Sequence, residues 1–186
     1  MGTISATEII KLLHAKPIPL FGLSELGSVL GIANRQTLYK KVQRLEASKI
    51  LKKLMKGKYL FLLKDAGDFT IANFLRQPSY VSLESALSFY SIITGFPYQI
   101  TSITIKKPSE IEAAGKSYAY SQISPDLFWG WEKKEDFLIA TPEKAMLDYL
   151  YFAKKGLRTL DWEEIDMTRL NRKLLSSWAR KLKIKI

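Results

Sequence analysis

Gln36, Tyr39, Lys40 and Gln43 recur at three- and four-residue spacing, so a helix carrying them would present all four on one face. They offer amide donors and acceptors, a phenol and a cation. These are the groups that contact base edges and phosphates, where an ordinary solvated helix would carry more Glu. Only Glu46 interrupts the basic run. Leu38, Val42 and Leu45 form the opposing apolar stripe, and Asn34 stands where the N-cap belongs. Beyond this segment, Ile50 to Met55 and Tyr59 to Leu63 are short apolar runs joined through Lys56-Gly57-Lys58, a hairpin with glycine at its tip. Lys52, Lys53, Lys56 and Lys58 would line that hairpin and meet a sugar-phosphate backbone beside the groove that the helix reads. The chemistry expected is recognition of double-stranded DNA; the competing reading is a solvated basic face on a small helical domain.

Catalytic residue types are sparser. Pro125-Asp126 followed by Glu132-Lys133-Lys134 has the composition of a metal-dependent nuclease, but Phe128, Trp129 and Trp131 crowd it and a surface loop with an aromatic anchor is the simpler reading. Trp129, Trp131, Tyr118 and Tyr120 are of the types that stack single-stranded bases, although aromatic residues alternating on a sheet usually pair across strands. No phosphate-binding glycine loop, zinc-protease helix or nucleophile elbow occurs, and Gly27-Ser28 is not followed by the paired aspartates of a nucleotidyltransferase. His14 is the single histidine and the chain has no cysteine, so no metal or other cofactor is expected, and the protein is not expected to be an enzyme.

The reading helix needs elements to position it. Leu23, Leu26, Val29 and Leu30 predict a helix capped by Ser24 and ended by a left-handed turn at Gly31. Ser5 or Thr7 would start a support helix through Glu8, Ile9, Leu12 and Leu13, stopped by Pro17 and Pro19. Helix, helix, Gly turn, helix and Lys-rich hairpin is the order of a winged helix-turn-helix, over residues 1–64.

At 186 residues the chain can bury a real core in one large or two small domains. Its net charge of +11 is uneven: residues 1–64 carry +9, residues 65–166 carry −5 and residues 167–186, Lys185 included, carry +7. Basic ends around an acidic middle suit a DNA-binding module joined to a body that avoids phosphate or meets a basic partner. The absence of cysteine fits a reducing compartment, and no apolar run approaches membrane-spanning length. The start lacks a secretory signal, and Ala6 stands where acylation at Gly2 would want Ser or Thr, so a cytoplasmic protein with no membrane partner is expected.

A boundary near Lys64 to Asp68 separates a second domain over residues 65–186. There the pattern predicts a helix near Phe69 to Arg76 and a second helix capped by Ser82, carrying Leu83, Ala86, Leu87 and Tyr90 and closed by Gly95 and Pro97. Strands are expected over Gln99 to Ile105, Lys116 to Ile123 and Phe137 to Ala140. Thr141-Pro142-Glu143 opens a helix with Ala145, Met146, Tyr149, Leu150 and Ala153 on its apolar face. Asp161 would cap a short segment, and Thr168 a final helix bearing Leu170, Leu174, Leu175 and Trp178 among Arg169, Arg172, Lys173, Arg180 and Lys181. The fold class is α+β, a winged helix-turn-helix followed by a mixed α/β C-terminal domain ending in a basic helix.

Two segments, Pro78-Ser79-Tyr80-Val81-Ser82-Leu83-Glu84-Ser85-Ala86-Leu87 and Ile139-Ala140-Thr141-Pro142-Glu143-Lys144-Ala145-Met146-Leu147-Asp148-Tyr149-Leu150-Tyr151, sit behind the winged segment. In that order they resemble the AbiEi-type antitoxins, the transcriptional-regulator half of bacterial AbiE toxin-antitoxin pairs. The resemblance implies a winged helix that binds inverted repeats in its own promoter, and a C-terminal antitoxin domain that antagonises a nucleotidyltransferase-like toxin without a stable complex. It puts Asn34, Arg35, Gln36, Thr37, Tyr39, Lys40, Gln43 and Arg44 at the DNA. Glu143, Lys144 and Asp148 are the polar members of the second motif that could face a partner, as could Arg169, Arg172 and Lys173 on the last helix; both motifs also read as helix caps with core behind them. The alternative function is a winged-helix transcription factor whose C-terminal domain senses a ligand or a protein, and the third is the nuclease.

Overall fold

The fold is that of a computed structural model, which describes residues 4–159 and 161–184. Gly2 and Lys185, weighed above, lie outside the described residues. The chain is α+β. Its first elements are α1 (Ala6–His14), β1 (Leu20–Gly22), α2 (Leu23–Leu30), α3 (Arg35–Ala47), β2 (Leu51–Met55) and β3 (Lys58–Phe61). Ser5 caps α1 by accepting from the Glu8 N–H, and Gly31, at φ 65°, ends α2 in the left-handed region open to glycine. Ser24 is not a cap. β1 runs straight into α2, and the Leu23 N–H is taken by the Gly57 carbonyl of the hairpin (2.9 Å), which leaves Ser24 inside the first turn.

The three strands form an antiparallel sheet in the order β1-β3-β2. Alternation gives it two buried faces. Phe21, Leu51, Tyr59 and Phe61 pack with Ile9, Leu13, Leu26, Leu38, Val42 and Leu45 of the three helices. Leu20, Leu54, Met55 and Leu60 point the other way, into the core of the second half.

That second half comprises α4 (Asp68–Leu75), β4 (Ser79–Val81), α5 (Leu83–Phe89), β5 (Ile100–Thr104), β6 (Ser109–Ala113), β7 (Lys116–Gln122), β8 (Trp131–Lys134), β9 (Phe137–Ala140), α6 (Pro142–Lys154) and α7 (Arg172–Lys181). Its strands make one mixed sheet, ordered β6-β7-β5-β4-β9-β8. β4 lies parallel to β9 and antiparallel to β5, which brings the strand ahead of α5 beside the strand ahead of α6. Both helices therefore start from the same end of the sheet centre, and they pack on one another.

Several local expectations give way to tertiary contacts. Ser82 precedes α5 but does not cap it; the Thr101 Oγ1 of β5 accepts from the Ser85 N–H (3.0 Å) while Ser85 Oγ accepts from the Thr101 N–H (2.8 Å). Leu83, the first residue of α5, is at φ 57° and turns the chain sharply after Ser82. That helix stops at Phe89, with Ser91 at φ 55° in the left-handed position, well before Gly95 and Pro97. Thr141 stands at the cap position of α6 without a capping hydrogen bond. The last helix is capped by Asn171, whose Oδ1 accepts from the Leu174 N–H (3.1 Å), while Thr168 lies in a separate short turn held by Asp166. Asp161 accepts from the Glu163 N–H (2.9 Å) and so caps a short turn.

Lys58 corrects the picture of a lysine-lined hairpin. It shares the face of Leu60, so its ammonium points away from α3 and donates to the Phe74 and Leu75 carbonyls at the end of α4, over the Phe74 ring at 4.9 Å. Desolvation, with Lys106 and Arg76 nearby, holds this amine below its ordinary range. The ammonium occupies the negative end of α4 and ties the first half of the chain to the second. Lys58→Met is expected to lower the free energy of unfolding by about 1–2 kcal/mol in urea denaturation; an unchanged midpoint would show that the contact contributes nothing.

Candidate functional site

Asn34 accepts from the Thr37 N–H (3.0 Å) and the Thr37 hydroxyl (3.2 Å), so both side chains serve the start of α3. From that fixed start, Arg35, Gln36, Thr37, Lys40, Gln43 and Arg44 are exposed and Tyr39 is half-buried, while Leu38, Val42 and Leu45 are buried. The Arg35 guanidinium donates to the Tyr39 hydroxyl (3.3 Å) and lies 5.6 Å from the ring centroid. This contact pushes the already basic arginine higher.

Lys52, Lys53 and Lys56 are exposed on the hairpin. Lys53 pairs with Tyr59 on the α3 side of the sheet, and Lys52 pairs with Leu60 on the other. A groove of about 1010 Å³ is lined by Lys56 and Gly57 of the hairpin, Arg35 and Tyr39 of α3, Gly27 of α2 and Gly31 just beyond it. Gly27 suits this close approach: a Cβ there would stand 3.1 Å from Leu38 Cδ2 and 3.2 Å from the Ile32 carbonyl, so Leu38 and the turn after α2 would have to give by a few tenths of an ångström. A cationic helix face, a cationic hairpin and a groove between them are complementary to a polyanion.

The candidate partner-binding residues divide. Arg172 and Lys173 are exposed on α7, and Arg169 is exposed but paired with Asp166 (3.4 Å). Glu143 accepts from the Asn171 N–H (2.9 Å) and so braces the start of α7. Lys144 and Asp148 are not surface residues: each side chain is 1% exposed. One turn apart on α6, they form an ion pair under the sheet, because α6 is buried nearly all round and not only along the expected stripe.

The pair is enclosed by the other motif. The Lys144 ammonium donates to Asp148 Oδ1 and to the Tyr80 hydroxyl (3.0 Å), which itself donates to Asp148 Oδ2 (3.0 Å); Ser82 Oγ donates to the same oxygen (2.8 Å). The ammonium also lies 5.4 Å from the Tyr80 ring and 5.2 Å from the Trp129 ring. Complete burial pushes the Asp148 carboxyl upward, against the Lys144 charge and the hydroxyl hydrogen bonds that pull it down. Burial and the neighbouring carboxylate hold the Tyr80 phenol far above its ordinary range. Gly130, at φ 75°, is the residue its neighbour demands, since a Cβ there would stand 2.9 Å from Lys144 Cγ.

Tyr80, Trp129 and Gly130, and the hydrogen-bonding role of Ser82, escaped sequence reasoning. The available signal was a Lys and an Asp four residues apart inside an apolar run, which needs a buried polar partner. Of the nuclease residues, Asp126 is exposed, and Glu132 accepts from Tyr90 (3.3 Å) and pairs with Lys134 (3.3 Å). Among the described residues no three His, Cys, Asp or Glu side chains converge as a metal site. No helix among them is long and apolar enough to cross a membrane.

No protein-family model and no curated protein matches this chain.

Removing one member of the buried pair strands the other charge. Asp148→Ala and Lys144→Met are each expected to destabilise the fold by about 3–5 kcal/mol. The double variant Lys144→Met/Asp148→Leu should recover most of that loss in thermal and urea unfolding. Additive losses in the double variant would show that the two charges do not stabilise one another.

Proposed function

We propose that this protein is a sequence-specific binder of double-stranded DNA whose first 64 residues are a winged helix-turn-helix, and that it is an autorepressor and antitoxin of the AbiEi type. The observation that carries the DNA reading is the α3 face: Gln36, Lys40, Gln43 and Arg44 are exposed together, beside Lys53 and Lys56 on the hairpin. The element order α1-β1-α2-α3-β2-β3 and the β1-β3-β2 sheet support a winged helix. On this reading α3 enters the major groove and the hairpin lies along the adjoining backbone. Two copies on an inverted repeat would present two such helices.

Support for the antitoxin half rests on the two motifs. They meet in space through Tyr80, Ser82, Lys144 and Asp148, so what they have in common is a folding unit. The surface left for a nucleotidyltransferase-like toxin, or for an extended DNA footprint, is the basic α7 with Arg172 and Lys173.

Binding to the chain's own promoter should weaken steeply with salt. Lys40→Ala, Arg44→Ala and Lys56→Ala should each shallow the slope of log K against log salt by about 0.9 in anisotropy titrations, while Lys58→Met leaves the slope unchanged. Equal slopes for all four variants would reject this interface. Co-expression with a co-transcribed nucleotidyltransferase-like gene should restore growth, and continued toxicity would reject the antitoxin role.

A further inference from the structure

We infer that Tyr39 is a positioning residue that holds the Arg35 guanidinium to read a guanine at one base pair of the DNA site. The inference rests on the DNA-binding reading above and assigns these two residues different tasks within it. Arg35 is the first residue of α3, and the N-terminal turn of a reading helix is the part that reaches base edges. An exposed arginine there samples many rotamers, and ordering it on contact costs binding free energy. Helical side chains lean toward the N-terminus, so Tyr39, one turn later, lies back over Arg35. Its hydroxyl accepts one guanidinium N–H at 3.3 Å, and its ring lies 5.6 Å away. One of five N–H donors is used, and those left still include a parallel pair that matches guanine O6 and N7. Lys56 lines the same groove, a point charge on a flexible stem, suited to phosphate and not to a base edge.

Selection from a randomised duplex pool, followed by titration of single-base-pair variants of the selected site, tests the assignment. The wild-type chain should prefer guanine at one position by about 5- to 150-fold. Arg35→Lys, which keeps the charge, should abolish that preference and leave the salt slope unchanged. Tyr39→Phe keeps the ring and loses the acceptor; it should cut the preference by about 3- to 10-fold and leave the melting temperature unchanged. Arg35→Ala lowering affinity equally for every sequence would make Arg35 a phosphate contact and overturn the assignment. A full guanine preference in Tyr39→Phe would overturn the positioning role alone, and failure of the wild-type chain to enrich any site would overturn the DNA-binding reading with it.

Discussion

A positive and a negative charge one turn apart, both removed from water, set the terms for the second half of this molecule. Taking Lys144 and Asp148 out of solvent costs several kcal/mol for each ion, recovered only if nearly every polar atom finds a partner. The surroundings conform to that demand. Tyr80 bridges the two charges, Ser82 supplies a second donor to the carboxylate, and the rings of Tyr80 and Trp129 flank the ammonium. Gly130 has no side chain because the lysine stem lies where a Cβ would be. Trp129 in turn meets Trp178 edge-on at 4.9 Å, which carries the constraint out to α7.

This network separates what the sequence alone predicts from what only distant contacts decide. Wherever local chemistry decides, the sequence reading holds: Ser5 and Asn34 cap their helices, Gly31 ends α2, Leu38, Val42 and Leu45 are buried, and Pro142 opens α6. Where a side chain has a better offer from a distant element, it fails. Ser82 has cap chemistry at a cap position, yet its hydroxyl goes to a carboxylate 66 residues away and Thr101 takes over the capping. Lys144 and Asp148 read as residues that could face a partner because lysine and aspartate are rarely buried; only the pairing of their charges makes the position tenable. The strands that escaped notice are three to five residues long, and β8 is Trp-Glu-Lys-Lys, charged as edge strands are when they discourage further pairing.

For the candidate DNA face the legibility was reversed. Helical periodicity alone separated the exposed Gln36, Lys40 and Gln43 from the buried stripe, because both sets sit on one uninterrupted helix. The hairpin was harder. Its four lysines look alike in sequence, but the two-residue period of a strand sends Lys58 to the far side, where the end of α4 receives it. A residue between two apolar neighbours, Leu60 on its own strand and Met55 opposite, belongs to the face they bury.

The three-stranded sheet serves two cores at once, one on each face. A domain attached by a flexible tether would turn independently of the body that carries it. Here the wall of the first core is also the wall of the second, and the direction in which α3 points is fixed relative to the six-stranded sheet. On the DNA-binding reading proposed above, the angle at which α3 would meet a duplex is then tied to the orientation of the C-terminal half, far from any base.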